Sequence, residues 1–351
     1  MDHLALPPTQ HPRATMTPTH DNRPRQRPER PAVESWFLRA NLPGQARALW
    51  LKITTLGHPA EAGVTEAWCS LFDGDDTAAW RTTVPWPSAS ISGGDGTPVA
   101  LRAAGCEWHL DDHGGSSRGR LTGDAGTVAW DLRFSRVDGP LGEPLCLLPS
   151  RRLVDGPLPR SKLLTPFPAT RVHGTLHWND TPWEITDWIG MQGHNWQDAH
   201  APEYAWGHCV FTTPDGALTG LAEGATGRIR IAGVTTPRIS LLGVRHDGRT
   251  YRFDTLVDLW RQDGDIAFPN WTLRIRGADG EALLAMRANP TRMVCLGYDN
   301  PDRSRRFCHN SKTAAVTLRV QPVRGHGFEL ASTDGGALEF LLPDAHVLPV
   351  V

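Results

Sequence analysis

The segment from Asp187 to Val210 contains the densest group of side chains in this sequence that could take part in chemistry. Three glycines lie among its large rings, which is typical of backbone that turns sharply or approaches a ligand closely. Any one of these side chains alone is more often a packing residue than a functional one, so it is their concentration that predicts a site. The cluster comprises His194, His200, His208, Asp187, Asp198, Trp188, Trp196, Trp206 and Tyr204.

Acid catalysis on an apolar molecule is the chemistry that this composition favours. Tryptophan rings supply flat apolar walls whose π faces stabilise a developing carbocation. A carboxyl group in a low-dielectric pocket keeps its proton and can donate it. Asp187, Asp198 and Glu223 are the candidate acids, the last standing in the apolar run that follows the cluster. The alternative for Glu223 is a solvent-facing position on a strand.

Metal and cofactor chemistry are not expected. His194, His200 and His208 are six and eight residues apart, a spacing that matches no common metal site. The sequence has no Gly-rich nucleotide-binding motif, and no serine stands out beside a His/Asp pair. We therefore predict neither a metal nor a cofactor.

Composition limits the partners. The 351 residues carry a formal net charge of only −2, which leaves no basic surface for nucleic acid. The six cysteines form no C-x-x-C pair and are expected to be reduced and buried. No apolar run is long enough to span a membrane, and no secretory leader is recognisable. These features predict a cytoplasmic protein, without integral membrane association, whose partner is a hydrophobic small molecule.

Two segments of unusual composition predict the domain organisation. Residues 1–31 contain seven prolines and five arginines but few aliphatic side chains, and are predicted to form a disordered tail, within which Met16 is a second candidate start. A Pro- and Gly-rich stretch over 136–169 suits a crossover between domains. The predicted units are a tail at 1–31, a first domain at 32–150, a linker at 151–169 and a second domain at 170–351.

Strand signals dominate both predicted domains. In the run from Thr127 to Phe134, the large apolar side chains fall on one face and Ala129, Asp131 and Arg133 on the other, which indicates a strand with one buried face. Further alternating runs follow beyond Thr170, separated by Asp-Gly pairs at 247–248, 263–264, 279–280 and 334–335 that favour tight turns. The pattern predicts an all-β protein of two antiparallel β-barrels in tandem, each able to enclose a small apolar ligand.

Four stretches of the sequence carry a family resemblance. The opening run from Val33 to Phe37, the strand Ala48 to Lys52, the Pro-containing crossover and the run Gly190 to Trp196 together resemble the lipocalin-like proteins of the AttH-domain and carotenoid 1,2-hydratase group (hydroxyneurosporene synthase type). The resemblance implies two tandem lipocalin-like antiparallel β-barrels with a ligand pocket. The same superfamily includes alkene hydratases, tocopherol-cyclase-like proteins and pericyclases of secondary metabolism.

The resemblance also implies catalytic residues. The hydratases use a His-x-Trp pair with a tyrosine and a later carboxylic acid, for which His194, Trp196 and Glu223 are the matching positions here. The sequence departs from the pattern just ahead of Glu223, where Leu221 and Ala222 replace the expected tyrosine. Carotenoid hydration is therefore not the specific expectation.

Two functions follow as hypotheses. The first is a cofactor-independent enzyme that hydrates, cyclises or isomerises a polyene or terpenoid-like molecule, as a hydratase (a lyase) or an isomerase. In this hypothesis Glu223 or Asp187 donates the proton, His194 orients the acid or guides water, and Trp196 faces the cation. The predicted substrate-binding residues are Trp188, Asn195, Tyr204, Trp206 and His208. The second hypothesis is a non-catalytic carrier of a hydrophobic molecule.

Overall fold

The computed structural model describes residues 17–26, 30–58, 63–213, 215–231, 234–255, 262–344 and 348–351. Almost all ordered secondary structure in these ranges is antiparallel β-sheet, so the predicted all-β class is confirmed. The helical elements are short. They are α1 Pro18–Asn22, α2 Arg152–Asp155, and 3₁₀ turns at Trp86–Ser88, Pro140–Gly142 and Pro290–Arg292. No helix in the described ranges is long and apolar enough to cross a membrane.

The first sheet holds twelve strands in the described part of the chain. Their bounds are β1 Ala32–Asn41, β2 Arg47–Gly57, β3 Val64–Asp73, β4 Asp76–Pro85, β5 Ser90–Gly94, β6 Thr97–Ala103, β7 Cys106–Leu110, β8 Gly114–Gly123, β9 Gly126–Arg136, β10 Leu145–Cys146, β11 Lys162–Trp178 and β12 Thr181–Gln197. The spatial order is β4-β3-β2-β1-β12-β11-β9-β8-β7-β6-β5, with β10 paired to β11.

The second sheet holds ten strands within the described ranges. Their bounds are β13 Glu203–Thr212, β14 Leu218–Arg228, β17 Ile239–His246, β18 Arg249–Phe253, β19 Asp263–Ala267, β20 Asn270–Gly277, β21 Gly280–Arg287, β22 Val294–Asp299, β23 Arg305–Pro322 and β24 Phe328–Leu342. The spatial order is β18-β17-β14-β13-β24-β23-β21-β20-β19, with β22 paired to β23. A separate ribbon pairs β15 Arg230–Ile231 with β16 Val234–Thr235.

The change of sheet lies later in the chain than the predicted domain boundary. β11 and β12 pair with strands of the first sheet, so the chain enters the second sheet only between Gln197 and Glu203. Two of the prolines that suggested a linker, Pro166 and Pro168, lie within β11, where register shifts around Phe167 interrupt its pairing with β12. Proline is tolerated at such irregular positions because no ladder hydrogen bond is lost there. The predicted boundary at 151–169 therefore does not coincide with the sheet change.

Hairpin turns follow the Asp-Gly prediction only in part. Asp247 and Gly248 both have positive φ and join β17 to β18, and Gly280 with φ 133° follows the turn between β20 and β21. The pairs at 263–264 and 334–335 lie inside β19 and β24 rather than in turns. An Asp-Gly pair permits a tight turn but does not require one.

Part of the predicted disordered tail is ordered. Residues 1–16 and 27–29 lie outside the described residues, but α1 packs on the first sheet. Asn22 exchanges hydrogen bonds with Gln192, and the Trp36 Nε1–H group donates to the Asn22 carbonyl (2.9 Å). The segment is held by buried polar contacts rather than by aliphatic side chains, so a composition argument does not detect it.

The buried side chains form two large cores and a layer between them. Each large core is enclosed by one sheet. The third cluster contains Phe37, Trp50 and Trp68 from the first sheet and Trp206 and Tyr298 from the second. The two sheets therefore share a common apolar layer, and the site described below lies in it.

Candidate active site between the two sheets

A cavity of about 240 Å³ opens in the layer between the two sheets. Both sheets contribute to it, and most of its wall is apolar or aromatic. The residues that form its ring-rich wall are Phe37, Trp50, Tyr204, Trp206 and Tyr298. A mainly apolar cleft with a few polar groups is the usual form of a small-molecule site. We call it the inter-sheet cavity.

Strand alternation decides which members of the Asp187–Val210 segment reach this cavity. On β12, Asn195 and Gln197 line the cavity, so His194 and Trp196 point to the opposite face. On β13, Tyr204 and Trp206 line it. The predicted substrate-binding positions Asn195, Tyr204 and Trp206 thus come together.

A buried charged group lies at the cavity wall. Glu339 accepts hydrogen bonds from Lys312 Nζ (2.6 Å) and Asn310 Nδ2 (3.1 Å). Lys312 is fully buried, and its ammonium group also lies 5.7 Å from the centroid of the Trp206 ring. Glu339 lines the cavity, so a paired carboxylate is presented to whatever occupies it.

Lys52 is a cation that lines the cavity itself. Its side chain is buried, with 5% of the residue exposed, and its Nζ lies 3.8 Å from the centroid of the Tyr298 ring. Burial lowers the pKa of Lys52 to about 8. The group is therefore mainly charged at neutral pH but titrates much closer to it than an exposed lysine does.

The two cavity tyrosines keep their protons. Burial raises the pKa of both Tyr204 and Tyr298 well above the usual value, with smaller contributions from Cys308 and Glu339. Both hydroxyl groups are hydrogen-bonded to Cys308. They remain neutral phenols, which are hydrogen-bond donors.

Glu223 lies in the same layer, one step beyond the cavity. Its carboxyl group accepts hydrogen bonds from Thr165 Oγ1 (2.7 and 2.8 Å) and from Trp206 Nε1 (3.1 Å). Burial raises its pKa to about 7, against the hydrogen bonds from Thr165 and Trp206 and the more distant charges of Arg245 and Arg39. This carboxyl group is buried, but the cavity wall reaches Trp206 and not Glu223 itself.

His208 belongs to a polar contact between the sheets. Arg39 Nη2 donates to His208 Nδ1 (2.6 Å), so the proton of the neutral ring is on Nε2, which donates to the Pro168 carbonyl (2.9 Å). Burial, and then the Arg39 charge, hold the pKa of His208 well below its usual value. Contrary to the prediction, His208 does not line the cavity.

His194 and Trp196 lie on the other face of β12. His194 Nδ1 donates to the Asp21 carbonyl (2.6 Å) of α1, and its Nε2 is 2.9 Å from Glu34 Oε1. Burial lowers the pKa of His194, while Glu34 opposes the shift. Trp196 does face a cation, but that cation is the guanidinium of Arg25, 4.6 Å from the ring centroid. His194 is thus bonded to α1 and Trp196 contacts the segment that follows it, and neither is bonded to Glu223.

The remaining predicted residues lie elsewhere. Asp187 is an exposed residue with φ 58° at a bulge of β12 and pairs with Arg171 (2.9 Å). Trp188 is in the core of the first sheet, 5.9 Å from the Trp183 ring. Asp198 is exposed and paired with Arg160. The geometry therefore gives neither aspartate a contact with the cavity, because each lies at the surface.

His200 lines the cavity in a way that the sequence did not specify. Its ring stacks on Tyr298 with centroids 5.0 Å apart, and its Nδ1 accepts a hydrogen bond from Gln197 (2.9 Å). Burial, followed by the charge of Lys52, lowers the pKa of His200 to about 3. The imidazole is therefore neutral. Within the described ranges, no group of three or more His, Cys, Asp or Glu side chains is placed to hold a metal ion.

Sequence reasoning missed Lys52, Glu339 and Tyr298, which are far from the cluster in the chain. One signal was present. The sequence contains only three lysines and three tyrosines, and Lys52, Tyr204 and Tyr298 are among these six residues. A search of the sequence for its rarest polar residue types would therefore have added Lys52 and Tyr298 to the candidate site residues.

Comparisons with known proteins agree with this architecture. No protein-family model matches the chain. Two uncharacterized proteins of Mycobacterium tuberculosis, MT0513 of strain CDC 1551 and Rv0493c of strain H37Rv, are each 23% identical to it over 299 residues, covering 85% of this chain and 84% of the relative.

Solved structures show the fold. A candidate AttH protein from Nitrosomonas europaea superposes with a TM-score of 0.59 at 11% identity, over 95% of this chain and 98% of that chain. CghA gives 0.59 at 10% identity over 90% and 89%. Kievitone hydratase from Nectria haematococca gives 0.54 at 11% identity over 95% and 97%. The resemblance to lipocalin-like AttH-type proteins is thus confirmed at the level of the fold.

Proposed function

We propose that this protein is an enzyme that binds an apolar small molecule in the inter-sheet cavity and converts it by proton transfer, through hydration, cyclisation or isomerisation, without a cofactor. One observation carries the proposal: a largely apolar cavity wall that holds both a buried cation, Lys52, and a buried carboxylate, Glu339. Ionisable groups held in such surroundings are typical of active sites. Among proteins of this fold, one is named a hydratase, which supports hydration as one of the reactions.

Glu339 is the proposed general base. Its carboxylate reaches the cavity while Lys312 and Asn310 hold it in place. In a hydration it takes a proton from water as the oxygen bonds to one alkene carbon, and the other carbon receives a proton from an acid. In an isomerisation or cyclisation it removes a proton from carbon. Trp50 and Trp206 offer π faces to positive charge that develops on the substrate.

Glu223 is proposed as a positioning residue rather than as the proton donor. It accepts the Trp206 N–H group and so fixes the indole that forms part of the wall. The candidate proton donors are instead Tyr204, Tyr298 and Lys52, because these side chains carry protons and line the cavity. A loose indole would widen the cavity and misplace the substrate.

The test begins with a panel of polyenes, terpenoids and phenolic alkenes incubated with the protein. Liquid chromatography and mass spectrometry detect added water, or an unchanged mass with a new retention time. On a confirmed substrate, Glu339→Gln should lower turnover by roughly a hundredfold or more while the dissociation constant changes only a few fold. Glu184→Gln, an exposed strand position, is the matched control.

A folding defect is a separate risk, because Glu339→Gln leaves Lys312 buried without its partner. The double variant Glu339→Gln/Lys312→Met removes both charges and should show the same loss of turnover in a folded protein. Full activity in that double variant would contradict the role of Glu339.

Carriage without chemistry is the second candidate. It is favoured by the fact that Glu223, the carboxyl group with a pKa of about 7, is separated from the cavity by Trp206. Saturable quenching of tryptophan fluorescence by panel compounds, with no product and no exchange of substrate hydrogen for solvent deuterium, would establish carriage in place of catalysis.

A further inference from the structure

The lysines of this chain are distributed unusually. Only three occur among 36 basic residues, and all three are buried, with 5% of Lys52, 4% of Lys162 and none of Lys312 exposed. Lys52 and Lys162 line the inter-sheet cavity, and Lys312 is bonded to Glu339, which also lines it. Surface positive charge is supplied by arginine, so lysine is confined to the surroundings of one cavity.

Two of the three ammonium groups have hydrogen-bond partners. Lys312 is paired with the Glu339 carboxylate (2.6 Å). Lys162 Nζ donates to the carbonyl groups of Leu153 and Gly156, the latter at 2.9 Å. Each of these lysines is therefore satisfied by the fold itself.

Lys52 differs from them. Within the described ranges, no carboxylate or carbonyl oxygen is bonded to its ammonium group, whose close neighbours are the faces of Tyr298 at 3.8 Å and Trp50 at 5.8 Å. The acidic residues whose charge acts on it are already occupied, since Glu66 pairs with Arg81 and Glu339 with Lys312. Aromatic faces compensate a buried ammonium only in part.

We infer that the cavity receives an apolar molecule that carries one oxyanion, a carboxylate or an acidic enol or phenol oxygen, and that Lys52 forms the ion pair with it. This inference rests on the proposed function in taking the cavity as the substrate site. It narrows the substrate class from any apolar molecule to an amphipathic one. A neutral hydrocarbon would leave the buried ammonium group without a partner, at a cost in affinity.

The charge of the wall agrees with this assignment. The Glu339 carboxylate is balanced by Lys312. Arg228, which also lines the cavity, shares Glu203 (3.3 Å) with Arg238 (2.8 Å), and Lys162 is bonded to two backbone carbonyl groups. The net charge of the wall is therefore positive, and Lys52 is the lysine there whose ammonium group has no oxygen partner among the described residues. The large rings of Phe37 and Trp206 fit the apolar body of such a ligand.

Matched eight-carbon probes test the inference without any need for turnover. Octanoate, 1-octanol and octylamine have similar apolar bodies and differ in the charge of the head group. Isothermal titration calorimetry on the wild-type protein should give the tightest binding for octanoate and the weakest for octylamine, with octanoate preferred over octanol by roughly tenfold or more. Equal affinities for octanoate and octanol in the wild-type protein would overturn the inference.

Lys52→Met then assigns the preference to one side chain. The ratio of octanol to octanoate dissociation constants should fall to about one, while octanol binding itself is kept. Arg274→Met removes one positive charge from an exposed position of β20 and should leave the ratio unchanged. An unchanged ratio in Lys52→Met contradicts the assignment. Reductive trapping of octanal on Lys52 by borohydride would also contradict it, because Lys52 would then act as a neutral nucleophile and not as the charged partner of an oxyanion. Because octanoate, octanol and octylamine undergo no reaction in these titrations, failure of the proposed catalysis leaves the binding outcomes intact.

Discussion

At the scale of single residues, the molecule uses burial to change what its ionisable groups can do. Glu223 is the clearest case, because its raised pKa results mainly from burial and is only partly offset by Thr165 and Trp206. Burial also shifts the pKa of Lys52, but downwards, because the charged form of lysine is the protonated one. Both groups titrate near neutral pH as a consequence of position rather than of residue type.

Glu223 should make stability depend on pH. Its pKa rises from 4.5 to about 7 on folding, so between these values the native carboxyl holds a proton that the unfolded chain has released. Stability from this group is therefore lost as pH rises from 4.5 to about 7, by an amount on the order of 3 kcal/mol. Glu223→Gln should gain stability relative to wild type between pH 5 and pH 8 in urea denaturation. A constant difference between the two proteins across this range would show that Glu223 is not buried in an apolar setting.

At the scale of elements, α1 and the strands beneath it form one hydrogen-bonded unit. His194 and Gln192 of β12 and Trp36 of β1 all use partners supplied by residues 21 and 22. Without the helix, three buried polar groups would lose a partner. His194 and Trp196 therefore contact and stabilise the segment that precedes β1.

A truncation tests the contribution of this element. A chain that begins at residue 27 should unfold at a clearly lower temperature than one that begins at residue 17, because the groups on β1 and β12 lose several hydrogen bonds, each worth about 1 kcal/mol. Differential scanning calorimetry on both chains isolates residues 17–26. Equal unfolding temperatures would mean that α1 adds nothing to the stability of the first sheet.

At the scale of the whole molecule, the two sheets are joined by a layer that combines apolar packing with buried polar contacts. Arg39 on β1 bonds to Asn41 on its own strand and to His208 and the Gly335 carbonyl on the second sheet. Burial lowers the pKa of Arg39 to about 10, which leaves it charged at neutral pH. A buried cation with these partners connects the two halves directly.

Arg39→Met should therefore weaken the connection between the sheets. Loss of its bonds leaves Asn41 and His208 with unpaired polar atoms and should lower the free energy of unfolding by about 3 kcal/mol. Chemical denaturation followed by tryptophan fluorescence measures the change, with exposed Arg133→Met as the control. A loss no larger than that of the control would remove Arg39 from the inter-sheet contact.

Local patterns in the sequence were sufficient for the architecture. Apolar alternation has a period of two in any strand, and Asp-Gly pairs favour turns, so the all-β class and the barrel-like sheets could be predicted without long-range information. The same patterns could not place the sheet change, because β11 and β12 have ordinary strand sequences and only their pairing with β9 and β1 assigns them to the first sheet.

The sequence by itself also determined where aromatic and ionisable side chains concentrate, and Tyr204, Trp206 and Asn195 from that concentration do line the cavity. Only the tertiary structure decided which face of each strand meets it. Alternation requires that His194 and Asn195 point in opposite directions, but it does not say which direction leads to the cavity. That choice depends on how the two sheets pack, and the same packing brings Lys52 and Glu339 together from positions 287 residues apart.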